Sequence, residues 1–159
     1  MLPRGMVIPV LQLLLEKGAS IKAAGWPYNT PLHLAAGSGN ISTIELLLDK
    51  GASVQPLRWD ETPLHLAVKN GHTSMVELLL EKGASIEATG GSDVTPLHLA
   101  AANGHISLVA FLLKKGAPIG SMDRSGHTPL DYAVQKGHTD VTKLLKKEAT
   151  KLDAHGNHT

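Results

Sequence analysis

The sequence predicts an all-α fold, a stack of short helical units that recur about every 33 residues. Three observations carry this reading. The string LLLEKGASI occurs at 13–21 and again at 78–86, with LLLDKGASV at 46–54 and the looser LLKKGAPI at 112–119. The string TPLHLA begins at Thr30, Thr62 and Thr95 and returns as TPLDYA at Thr128, at spacings of 32, 33 and 33 residues. Glycines punctuate every copy in register, at Gly39, Gly71, Gly104 and Gly137 and again at Gly51, Gly83 and Gly116. Segments written repeatedly in one register build equivalent units, each burying its apolar side on its neighbours.

Taken in order, each unit opens on a threonine placed to cap a helix, with proline at the first helical position, where its missing N–H costs nothing. His33, His65 and His98 stand at the third helical position and complete the hydrogen bonding around the threonine. Asp131 takes that place in the last unit, where the helix dipole favours a carboxylate. The first helix ends at the turn glycine, which accepts the left-handed conformation. A second helix starts near Ser42, Thr73, Ile106 or Thr139, with leucines at i, i+3 and i+4 turned inward and Glu-Lys or Lys-Lys pairs outward. Gly51, Gly83 and Gly116 stop it. The last second helix differs: where inner units carry Ile44, Val76 or Val109 and then Leu48, Leu80 or Leu113, it has Thr142 and Lys146. That exchange makes the terminal face soluble. At the other end, a lone second helix over about 9–17 has no TPLH helix before it, and Pro3 forbids a regular helix through the start. A chain cut from a longer array is expected.

These motifs resemble the ankyrin repeat: a TPLHLAA helix, a Gly-His turn, a VxxLL helix, a Gly-Ala exit and a β-hairpin leading onward. The resemblance covers about 7–145. It implies an all-α ankyrin-repeat solenoid of helix-turn-helix units joined by short β-hairpins. The units are a partial repeat at 1–24, repeats at 25–56, 57–89 and 90–122, a capping repeat at 123–150 and a disordered tail at 151–159. It also makes His72, His105 and His138, after the turn glycines, turn-stabilising residues.

Composition narrows the function. Formal net charge is +1, with no basic face for nucleic acid. Cysteine is absent, which excludes disulfides, thiol catalysis and cysteine-bound zinc and fits a reducing compartment. The cytoplasm is the expected location, with the nucleus open. No apolar run is long enough to span a bilayer, and the apolar start at 6–15 reads as the first copy of the repeated helix, not as a signal peptide. His33, His65 and His98 fall on successive helices roughly 8–10 Å apart, too far to share a metal that needs each nitrogen within about 2 Å. His155 and His158 lack a third ligand. No nucleophile or phosphate-binding motif appears, so neither enzyme activity nor a cofactor or metal is expected. Sequons at Asn40 and Asn157 matter only in a secreted protein.

The resemblance therefore implies a protein-binding module, a monomer that holds a protein partner on a concave surface of hairpins and first helices. An artificial binder and a structural spacer of a larger protein stay open. Exposure is assigned to the hairpin residues before each TPLH and to the pair before each turn glycine. The candidate partner-binding residues are Trp26, Tyr28, Asn29, Arg58, Trp59, Glu61, Lys69, Asn70, Ser92, Asn103, Arg124 and His127. Trp26, Tyr28 and Trp59 are three of the chain's five aromatic residues, and tryptophan, tyrosine and arginine dominate binding hot spots.

Overall fold

The protein is described from a computed structural model, which covers residues 12–13, 16–21, 30–55 and 61–156, with side chains as far as 152. Two compact units, Met1–Ala84 and Ser85–Thr159, divide the chain. The first holds α1 (Pro31–Ser38), α2 (Ile41–Asp49), α3 (Pro63–Lys69) and α4 (Thr73–Glu81). The second holds a 3₁₀ turn at Gly91–Asp93, then α5 (Pro96–Ala102), α6 (Ile106–Lys114), α7 (Pro129–Gln135) and α8 (Thr139–Gly156). In the first unit α1 packs on α2 and α3, and α3 on α4. In the second, α5 packs on α6 and α7, and α8 on α6 and α7.

The helix starts follow the threonine-proline logic. The backbone N–H groups of Thr30, Thr62 and Thr95 each donate to the Nδ1 of the histidine three residues on, at 3.2 Å, and that of Thr128 donates to Asp131 Oδ2 at 2.8 Å. Thr62 and Thr128 also accept from the backbone N–H of His65 and Asp131 through their hydroxyls. These are reciprocal capping boxes, closing donors that a helix start otherwise leaves bare. At the other ends Gly39, Gly51, Gly83, Gly104, Gly116 and Gly137 all have φ between 69° and 91°, the left-handed region. Gly18 adopts it too, after helical backbone at Gln12, Leu13 and Glu16. The rest of the lone helix expected at 9–17 lies outside the described residues.

Inside each pair the core draws on recurring register positions, with the last pair departing from the others at Thr142. Leu32, Leu64 and Leu97 from first helices are buried, as are Ile44, Leu47, Val76, Leu79, Val109, Leu112, Val141 and Leu145 from second helices. Thr43 stands where other repeats have Met75, Leu108 or Val141, and its buried Oγ1 is the one such side-chain atom without a hydrogen-bond partner among the described residues.

No strand is present among the described residues, so the expected β-hairpins are not visible there; the two connections described hold Gly90 N–H to Val94 O and Asp123 N–H to His127 O, both at 2.9 Å. The tail expected to be disordered from 151 is helical to Gly156. Neither glycine nor proline interrupts 139–155, Ala149 stands where Gly83 ends α4, and Lys151 pairs with Glu148 at 2.6 Å. The longer α8 forms one side of a groove of about 400 Å³ lined by Leu113, Ala117, Pro118, Ile119 and Leu152.

Candidate functional site

The sequence-expected site residues sit on two kinds of local structure, the loop before each first helix and the last turn of that helix. In the first unit, Lys69 and Asn70 end α3 and are exposed, while Glu61 precedes its cap. Lys69 Nζ lies 3.5 Å from Glu61 Oε1, so these two form a pair across one loop-helix junction. Asn70 donates its amide to Leu66 O at 2.9 Å, and the same group lies beside Gly37 of the preceding repeat. Trp26, Tyr28, Asn29, Arg58 and Trp59 lie outside the described residues.

In the second unit Asn103 repeats the Asn70 geometry, donating to Leu99 O at 2.8 Å. Both asparagines therefore finish their helices by satisfying a carbonyl of the last turn, a task that spacing alone did not reveal. Ser92 and Arg124 are brought together: the Arg124 backbone N–H donates to Ser92 O at 2.9 Å, and its guanidinium Nε lies 3.5 Å from Asp93 Oδ2. The arginine side chain is 73% exposed. His127 is also exposed, with Nδ1 3.6 Å from Asp123 Oδ1.

Asp123, not among the expected site residues, organises this loop. Its Oδ1 accepts from the backbone N–H groups of Ser125 and His127, both at 2.8 Å, and its Oδ2 accepts from the Tyr132 hydroxyl at 2.8 Å. The Tyr132 ring meets His98 and His127 edge to face, at centroid distances of 5.4 and 6.3 Å. His98 Nε2–H donates to His127 O at 3.0 Å. These bonds hold the Asp123 carboxyl below its ordinary range, the His127 N–H first among them, and burial with the Asp123 bond pushes the Tyr132 phenol up. Burial lowers His98 against the opposing pull of the His127 carbonyl. The readable signal for Asp123 was the DxxGxT spacing of Asp123, Gly126 and Thr128, which puts a carboxylate at the start of a turn whose N–H groups converge on it.

The histidines divide by role. In His33, His65 and His98 the Nδ1 accepts from a backbone N–H, so the ring proton sits on Nε2. His72 and His138 reach beyond their own turns: each donates from Nε2 to a carbonyl of the preceding repeat, Gly37 O at 3.1 Å and Ala102 O at 3.0 Å. Among the described residues no group of three His, Cys, Asp or Glu is placed to hold a metal, and no helix is long and apolar enough to cross a membrane.

Capped first helices, glycine-closed turns, returning second helices and histidines that bridge repeats define a helical repeat protein of the interaction-scaffold class. The family model for ankyrin repeats (3 copies) matches residues 4–90 and again 89–155. The chain belongs to the ankyrin repeat family. Comparison with curated proteins found no match.

Proposed function

We propose that this chain binds a protein partner through the exposed residues of its loops and first-helix ends, the use to which ankyrin repeats are generally put. One observation supports this most directly. Positions that recur from unit to unit, the Thr and His of the cap and the core leucines, are buried in the three inner units, and the cap is internally bonded. The pair before each turn glycine differs in every unit, Gly37-Ser38, Lys69-Asn70, Ala102-Asn103 and Gln135-Lys136, and most of these residues are exposed. A repeated frame carrying non-repeated exposed residues separates folding from recognition. The tethered loop around Asp123 adds preorganisation, so Arg124 and His127 lose little entropy when a partner docks.

The finer proposal places the centre of binding on Trp26 and Trp59, with Tyr28, Asn29, Arg58, Glu61, Lys69 and Asn70 around them, on the concave side that the family's architecture implies. Ser92, Asn103, Arg124 and His127 extend it. The test begins with a pull-down and mass spectrometry to identify the partner. Trp26→Ala and Trp59→Ala are then each expected to cost about 2 kcal/mol or more of affinity, with Tm nearly unchanged. If both variants unfold the protein and the folded remainder binds normally, these aromatics are core and the site lies elsewhere.

A further inference from the structure

Of the chain's five asparagines, two stand directly before glycine, Asn70-Gly71 and Asn103-Gly104, and these dipeptides close α3 and α5. The same turn is written Ser38-Gly39 and Lys136-Gly137 in the other repeats, so it needs the glycine and not the asparagine. Asparagine before glycine carries a chemistry of its own. The glycine nitrogen, once it gives up its proton, can attack the side-chain carbonyl carbon Cγ. A C–N bond forms, ammonia leaves, and water opens the resulting five-membered succinimide to aspartate or, through the other carbonyl, to isoaspartate. Glycine favours the attack because no Cβ blocks the approach and its backbone is the freest to bend.

The folded turn holds every reacting atom out of place. The glycine N–H groups are engaged as donors, Gly71 to Val68 O at 3.0 Å and Gly104 to Ala101 O at 3.2 Å. The asparagine side chains are drawn the other way along the chain by their bonds to Leu66 O and Leu99 O, at 2.9 and 2.8 Å. Asn70 and Asn103 both have ψ 1°, which sets the glycine nitrogen over the asparagine's own nitrogen, whereas the succinimide ring closes only when it eclipses Cβ. The next residues hold that angle, since His72 and His105 give their N–H groups to Ala67 O and Ala100 O at 2.9 and 3.0 Å. At Asn103 the following repeat adds to the lock: His138 lies over Gly104 and donates to Ala102 O, the carbonyl of the peptide bond that leads into Asn103. Both asparagines are exposed, so water reaches them as soon as a turn opens.

We propose that Asn70 and Asn103 are deamidation sites locked by the fold, converted only from the opened turn, and that each conversion makes one opening permanent. The product cannot rebuild the helix end. A carboxylate has no proton to donate to Leu66 O or Leu99 O, its charge meets the negative end of the helix dipole, and isoaspartate runs the main chain through Cβ, lengthening the turn by one atom. Conversion therefore gathers where the array opens most often. This chemistry belongs to the turns and holds whether or not the two asparagines also touch a partner.

The test follows the full chain in mildly alkaline buffer by peptide mapping, which resolves asparagine, aspartate and isoaspartate at each position, with Asn29, Asn40 and Asn157 as internal references. In urea above the unfolding midpoint, Asn70 and Asn103 are expected to convert well ahead of the references, mainly to isoaspartate. Without urea both should slow by roughly tenfold or more, as rare opening requires, and hydrogen exchange of the Gly71 and Gly104 N–H groups, read by NMR on the same samples, should slow in proportion. His138→Ala removes one hydrogen bond from one lock, so conversion at Asn103 should rise about fivefold while Asn70 keeps its rate; in urea the variant should change nothing. If His138→Ala instead unfolds the chain, both sites must convert, and both glycine N–H groups exchange, as they do in urea for the proposal to stand. Failure to convert in urea, or conversion in the folded chain that outruns exchange of the glycine N–H, overturns it, as does a folded His138→Ala chain in which Asn103 gains nothing on Asn70.

Discussion

Gly104 and Gly137 provide a matched pair for measuring what the bridging histidine contributes. Both close a first helix in the second unit, at φ 71° and 75°, so Ala at either position pays the left-handed penalty of roughly 1–2 kcal/mol. Their surroundings differ. A Cβ at Gly104 would lie 2.6 Å from His138 Nδ1 and 2.8 Å from its Cε1, whereas one at Gly137 meets nothing within 4 Å. Gly104→Ala must therefore displace the imidazole and lose its 3.0 Å bond to Ala102 O, adding about 1 kcal/mol for the hydrogen bond and leaving the carbonyl to be resolvated. The expected losses are about 1–2 kcal/mol for Gly137→Ala and about 2–3 kcal/mol for Gly104→Ala. Urea unfolding followed by far-ultraviolet circular dichroism would give both. Adding His138→Ala supplies the control: in that background the cost of Gly104→Ala should fall to that of Gly137→Ala. Equal losses from the start, or a difference that survives removal of His138, would refute the account of the histidine as an inter-repeat tie.

Acid should weaken the protein in two separate windows. Burial lowers the His98 pKa below its ordinary value of 6.5, so the neutral form is the one folding favours; its contribution is present above that value and is lost as pH falls below it through the lowered folded-state pKa. The Thr128 hydroxyl and N–H lower the Asp131 pKa below 3.8, so its contribution persists until pH falls below that value. Urea midpoints measured from pH 7.5 to 3 should show the upper decline, and His98→Ala should remove part of it; an unaltered profile would count against the assignment. Thr43→Val should stabilise by about 1 kcal/mol, because it replaces a buried hydroxyl without a partner by a methyl in an apolar site; a loss of stability on urea titration would show that the hydroxyl is satisfied. Asp93→Gly trades a left-handed aspartate at φ 61° for glycine, relieving about 1 kcal/mol, against an exposed pair with Arg124 worth about 0.2–1 kcal/mol. A small net rise in Tm is expected, and a clear fall would mean that the Arg124 contact is worth more than an exposed pair should be.

What the sequence determined by itself is whatever depends on residues three or four apart. Thr30 and His33, Thr62 and His65, Thr95 and His98, and Thr128 and Asp131 meet because a helix start brings position N3 back to its cap, wherever the helix goes afterwards. The turn and exit glycines, the buried leucine register and the exchange to Thr142 and Lys146 were legible for the same reason, since helical period alone assigns a face. The candidate site was legible only in part. Lys69, Asn103, Arg124 and His127 are exposed, but that Asn70 and Asn103 close their own helices, and that Glu61 meets Lys69, follows from where side chains reach. Tertiary structure alone decided the rest. His72 and His138 tie neighbouring repeats over 35 and 36 residues of chain, and Arg124 reaches Ser92 across 32. Such contacts form because stacked units bring distant backbone carbonyls within bonding distance. Stacking also explains why the turn position is sealed at Gly104 and open at Gly137: local pattern makes the face, and only a neighbour covers it.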